Sequence, residues 1–128
     1  MLSQVRWLRV VIAAFVIEAG LMTMVPLIPL LGQDFVLKVI VPIACLVVPF
    51  VVAFIATRPL AAARGLHGLL IGIVATVIYF VLVAVASSIA EASASYGLPL
   101  FFGVNALRIV SAAAGGYFAD RRAVPSAA

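Results

Sequence analysis

Residues 5–31 read VRWLRVVIAAFVIEAGLMTMVPLIPLL, an apolar run entered past Arg6 and Arg9 and broken near its middle by one acid, Glu18. About 20 such residues cross a hydrocarbon core of about 30 Å, so the stretch is long enough to span a bilayer. An ionisable side chain near the bilayer centre costs at least about 2.5 kcal/mol on the mildest insertion scale. Glu18 therefore needs a partner, water or a task. Three more apolar runs follow, at about 37–57, 66–90 and 98–119, and the last holds a second charge at its middle, Arg108.

Composition points the same way. Of 128 residues, 67% are hydrophobic and only 9% charged, with a mean hydropathy of +1.37. Soluble domains carry about 25% charged residues. The connections are too short to form a soluble domain, so 1–128 reads as a single all-α integral membrane domain. Its four transmembrane helices are expected in an up-down-up-down bundle. The arginines before the first run mimic a secretory signal. The run is too long for one, however, and no pair of small residues marks a cleavage site around Leu30–Gln33. It is expected to be a retained helix.

The basic residues are unevenly shared between the two sides. Arg6, Arg9, Arg58, Arg64, Arg121 and Arg122 flank one side, whereas Lys38, close to Asp34, flanks the other. The positive-inside bias then predicts both termini in the cytoplasm of a bacterial inner membrane protein. The net charge of +4 sets eight Lys and Arg, six of them these arginines, against four Asp and Glu. They suit topology and anionic lipid headgroups. Spread over three flanks without a nucleic-acid motif, they argue against nucleic acid as a partner. The lipid bilayer is the expected surrounding.

Counting along the helices places the two buried charges at one depth. Glu18 is eleven residues past Trp7, and Arg108 eleven residues before Ala119. At about 1.5 Å per residue both lie about 16 Å from the cytoplasmic interface, close to the midplane. They meet if the first and fourth helices are neighbours, as in a simple up-down-up-down bundle. Asn105 and Ser111, three residues either side of Arg108, share its face, and Gly115 continues it. The guanidinium requires acceptors, and Glu18, Asn105 or a backbone carbonyl can supply them. Tyr79, thirteen residues into the third run, can complete the cluster through its hydroxyl.

Prolines and small residues divide the chain. Pro26 and Pro29 lie in the first run, Pro42 and Pro49 in the second. Pro49 is expected to kink its helix and free the carbonyl of Cys45. The later runs carry Gly68–Gly72 as a GxxxG step, and Ser111–Gly115 and Ala112–Gly116 as overlapping small-xxx-small steps. These allow close backbone approach within a chain or between protomers. The two halves share no pattern that would indicate a duplication.

Ordinary catalytic chemistry finds little footing. Cys45 is the one cysteine and His67 the one histidine, so neither a CxxC pair nor an intrachain disulfide is available. His67, at the start of the third run beside Arg64, is expected at the membrane interface. No catalytic set, phosphate loop or metal-ligand spacing is present, and no cofactor or metal is expected.

The run Val16–Ile17–Glu18–Ala19–Gly20 resembles the first helix of small multidrug resistance transporters, four-helix proteins whose first helix carries an essential glutamate. The likeness covers that helix alone: Arg108 and the later helices depart from the pattern. The terminal stretch Leu107–Arg108 through Gly115–Gly116 to Arg121–Arg122 is similar to small bacterial membrane proteins of unassigned function. Neither likeness defines a family.

Three functional readings follow. The leading one is an oligomeric transporter or permeation module, not an enzyme. In it Glu18 titrates or binds substrate, because burial and the arginine act on its proton in opposite senses. Four helices scarcely enclose a cavity, so this reading expects a homo-oligomer. The alternative is a structural or accessory subunit of a larger membrane complex, with the charge pair as a packing or docking device. The third is an intramembrane enzyme acting on a lipid-linked substrate with Glu18 as base.

Overall fold

Proline and glycine punctuate the first half of the chain, and its helical interruptions fall beside them. The computed structural model describes residue 3 and residues 5–122; the chain ends expected in the cytoplasm, residues 1, 2, 4 and 123–128, lie outside it. Helix α1 runs Trp7–Met22. Pro26 then opens a 3-10 turn, Val25–Leu27, and Pro29 opens the short α2, Ile28–Leu31. Both prolines stand at the first turn of an element, where a missing N–H costs little. The chain reverses at Gly32 alone, at φ +90°. A side chain there would meet its own backbone.

Helix α3, Gln33–Phe35, follows at once, and a π-helical stretch Val36–Ile40 joins it to α4, Val41–Thr57. Pro42 accounts for the wide turn. It has no N–H for the carbonyl of Lys38, and the Val41 N–H bonds Val36 instead. The second span thus begins at Gln33 rather than at 37, because one glycine completes the turn expected to take five residues. Helix α4 continues through Pro49 without interruption.

Helix α5 covers Arg64–Ala86 and ends short of the expected residue 90, where Ser87 leaves helical backbone. The following connection is itself helical: α6, Ile89–Tyr96, is capped by Ser88, whose Oγ accepts the Glu91 N–H at 3.1 Å. Ser88 and Glu91 form the Ser-x-x-Glu start signal. After Gly97, α7 runs Leu98–Arg122, three residues past the expected end. The spans Trp7–Leu31, Gln33–Thr57, Arg64–Ala86 and Leu98–Arg122 are each long and apolar enough to cross a membrane.

Small residues decide which helices touch. A Cβ on Gly68 would strike the Ala112 carbonyl, one on Gly72 would lie 2.7 Å from Ile109 Cα, and one on Gly116 would strike the Arg64 carbonyl. The GxxxG step of α5 therefore docks antiparallel on Ala112 and Gly116 of α7, within one chain. The neighbouring step serves another helix. Gly115 abuts the Phe50 carbonyl, and the Ser111 hydroxyl donates to the Leu46 carbonyl at 2.7 Å, so α4 lies parallel to α7.

Helix α1 packs on α4 and α5 instead. Arg9 Nη1 donates to the Ala56 carbonyl at 3.1 Å, which makes α1 antiparallel to α4. Consecutive spans alternate in direction, and the arginine flanks gather at one end. The neighbour order nevertheless differs from a simple up-down-up-down bundle: the first and fourth spans face each other across a diagonal. The glycine faces of α7 draw α4 and α5 to it, and α1 is left opposite.

His67 is part of this frame. It lies at the start of α5 and is 2% exposed. Its Nδ1 lies 2.7 Å from the Ala63 carbonyl, and its Nε2 accepts the Arg6 N–H at 3.1 Å. Those partners require a neutral ring protonated at Nδ1. The imidazole so ties the start of α1 to the start of α5. His67→Ala is expected to lower folding free energy by about 1–3 kcal/mol through the orphaned Arg6 N–H. Reversible unfolding in mixed micelles measures it, and an unchanged midpoint would show that the link carries no stability.

Candidate functional site

The two misplaced charges meet halfway along the spans. Arg108 Nη1 of α7 donates to Glu18 Oε1 of α1 at 2.7 Å, and each side chain is 4% exposed. The long arginine side chain crosses the diagonal that the backbones leave open. Tyr79 of α5 contributes its ring face to the cluster: the guanidinium carbon sits 4.2 Å from the ring centroid. That geometry is a cation–π contact, strongest where water is excluded. Cys45 of α4, fully buried, stands within electrostatic reach of both charges. Each span thus gives one residue to the cluster. Cys45 escaped the sequence reading because a cysteine in an apolar run carries no sign of what it faces.

The flanking polar residues serve the helices. Asn105 is buried, but its Nδ2 donates to the Phe101 carbonyl at 2.8 Å, one turn back on its own helix. Of the acceptors open to Arg108, the guanidinium takes Glu18 instead. Polar side chains four residues from a backbone carbonyl commonly take that local bond. Ser111 crosses to α4, as described. The carbonyl it finds is that of Leu46.

A cavity of about 130 Å³ adjoins the pair, lined among others by Glu18, Arg108, Tyr79, Tyr96, Val36 and Leu37. It extends from the charges toward the Gly32 end and has room for about four water-sized groups at about 30 Å³ each. Tyr96 closes it from α6, outside the spans. Burial pushes the Tyr96 phenol well above the ordinary tyrosine range, so it stays protonated. The nearly inaccessible Phe101 ring anchors this lid, with centroids 6.1 Å from Tyr96, 6.3 Å from Tyr79 and 5.8 Å from Phe80. Neither Tyr96 nor Phe101 stood out in the sequence, although the Ser88–Glu91 cap was a signal that the connection has structure.

The ion pair is incomplete within the protein. Glu18 Oε2 and Arg108 Nε are buried and have no hydrogen-bond partner among the described residues. A carboxylate and a guanidinium can form two parallel bonds, and this pair forms one. Glu18, Arg108 and Tyr96 therefore all line one small space, which suits a small polar species or a proton.

The remaining residues singled out lie elsewhere. Gly68, Gly72, Gly115 and Gly116 make the helix contacts given above. Arg6, Arg9, Arg58, Arg64, Arg121 and Arg122 occupy the opposite end from the cavity; Arg64 faces Asp120 at 3.4 Å, and Arg121 Nε donates to the Tyr117 hydroxyl at 2.9 Å. No family model matches the chain, and neither a curated protein nor a solved structure does.

Proposed function

We propose that the protein is a membrane permeation or transport module in which Glu18 exchanges a proton or holds a small polar solute and Arg108 is its counter-charge. The observation that carries this reading is the half-satisfied pair beside a cavity: Glu18 Oε2 is buried, unpartnered and part of a residue that lines the space. A pair serving packing alone gains most from satisfying every polar atom. Intramembrane ionisable residues commonly mark ion pathways or proton relays. A bacterial inner membrane location with cytoplasmic termini, and a homo-oligomer that completes the pathway, belong to the same proposal.

The test is proton flux into vesicles driven by a potassium diffusion potential, read by an internal pH dye. Wild-type protein is expected to carry flux well above empty vesicles. Glu18→Gln/Arg108→Gln, which removes both charges together, is expected to fold and to carry none. Equal flux through the wild-type and the folded double variant would overturn the reading. A second reading, the structural or accessory subunit, rests on a separate observation: the pair links the two helices that do not pack side by side. Loss of assembly in the single variants, with no flux in the wild type, would favour it.

A further inference from the structure

At the arginine-rich end, a second cavity of about 320 Å³ is lined by Phe54, Arg58, Arg64, Ala119 and Arg122. We infer that it is a phosphate-group site in which Arg58, Arg64 and Arg122 receive the anion and Phe54 and Ala119 face the apolar part of the molecule bearing it. This inference is independent of the transport reading.

Arg58, Arg64 and Arg122 all line this space, and like charges gathered around it repel each other. Among the described residues Asp120 offsets one of them, through a contact of 3.4 Å between Arg64 Nη1 and its Oδ1. Arg58 and Arg122 stand at the ends of α4 and α7, where helix carbonyls favour a cation. Arg64 has no such support. It is the first residue of α5, the end at which the helix dipole disfavours positive charge. Its side chain is nonetheless only 13% exposed, and its buried Nε has no partner among the described residues.

Packing explains why Arg64 stays there: Gly116 lies directly against its carbonyl, so its backbone is held while the guanidinium is presented. Guanidinium forks match phosphate oxygens in geometry and charge, and an anion among three of them relieves the repulsion. Arg121 is excluded from the set by its own partner, since its guanidinium lies 5.3 Å from the Tyr117 ring and bonds that hydroxyl. The phosphate can belong to a lipid headgroup or to a soluble anion, and the two are separable.

Purified protein in a neutral detergent is titrated calorimetrically with inorganic phosphate, dioctanoyl phosphatidate and phosphate-free dioctanoylglycerol. Binding of phosphatidate but not of inorganic phosphate or dioctanoylglycerol identifies a headgroup site. Binding of both phosphate compounds identifies a site for the phosphate group itself. Either outcome supports the inference. Arg58→Gln/Arg122→Gln changes two exposed side chains, and is expected to weaken binding by about tenfold or more through lost charge-assisted bonds, with the unfolding midpoint retained. Arg121→Gln is expected to bind within about twofold of wild type, since it removes no fork from the cavity. The inference fails if neither phosphate compound binds, if dioctanoylglycerol binds as tightly as phosphatidate, or if Arg121→Gln weakens binding as much as the paired change.

Discussion

Glu18→Gln is expected to destabilise the folded protein by about 3–5 kcal/mol, the usual cost of breaking a buried pair and leaving one charge uncompensated. The residue left behind is Arg108, 4% exposed, with one buried nitrogen already without a partner. An arginine cannot shed its proton in a protein. It retains the Tyr79 ring at 4.2 Å, which offsets part of the loss. Arg108→Gln strands Glu18 instead, and a carboxylate can take up a proton and become neutral. Its cost is therefore expected to be smaller, and to shrink further as pH falls.

The double variant Glu18→Gln/Arg108→Gln strands no charge and is expected to recover most of the loss. Unfolding free energies in mixed micelles at two pH values complete the cycle. Single-variant costs that add in the double, with no recovery, would show that the two charges do not stabilise each other. The same double variant is the folded reference for the flux experiment, so stability and transport are read apart.

Gly116→Ala should be nearly as damaging, although it adds a single methyl group. That methyl would strike the Arg64 carbonyl and lie 3.0 Å from Gly68 Cα. Both obstacles are backbone, so α5 and α7 must separate along their tightest contact. Overpacking of this kind costs about 1–3 kcal/mol, and more where backbone must move. Gly115→Ala is expected to do the same between α4 and α7, against the Phe50 carbonyl. Gly103 and Gly65 supply the internal controls, since a Cβ on either meets nothing within 4 Å. Alanine at those two helical positions should be neutral or stabilising by up to about 1 kcal/mol. Thermal unfolding of the four variants in one detergent tests the set. Equal midpoints for Gly116→Ala and Gly103→Ala would refute the close helix contact.

The four spans were legible because each is a long apolar run, and only a membrane or a large core rewards such a run. The charge pair was legible too, since helix rise converts residue number into depth. Local capping was present but overlooked at Ser88 and Glu91, where a polar connection concealed a helix. Other features were not readable. Asn105 shares a face with Arg108, yet the choice between its own carbonyl and a neighbour's donor depends on distances that no spacing supplies. His67 has two nitrogens and many possible partners, and only the approach of α1 selects the Arg6 N–H.

Residue order by itself determined the number of long apolar helices, the matching positions of Glu18 and Arg108 along them, and the small-residue steps that permit close packing. Those properties are set by one-dimensional quantities: run length, rise per residue and the spacing of side chains along a helix. The tertiary structure alone decided which helices use the steps. Ala112 and Gly116 meet α5 while Ser111 and Gly115 meet α4, and this places α1 across from α7. A periodic face states what it can approach, but the partner depends on competition among all four helices for the same glycines. For that reason the ion pair spans a diagonal, and the cavity beside it belongs to no single segment of the chain.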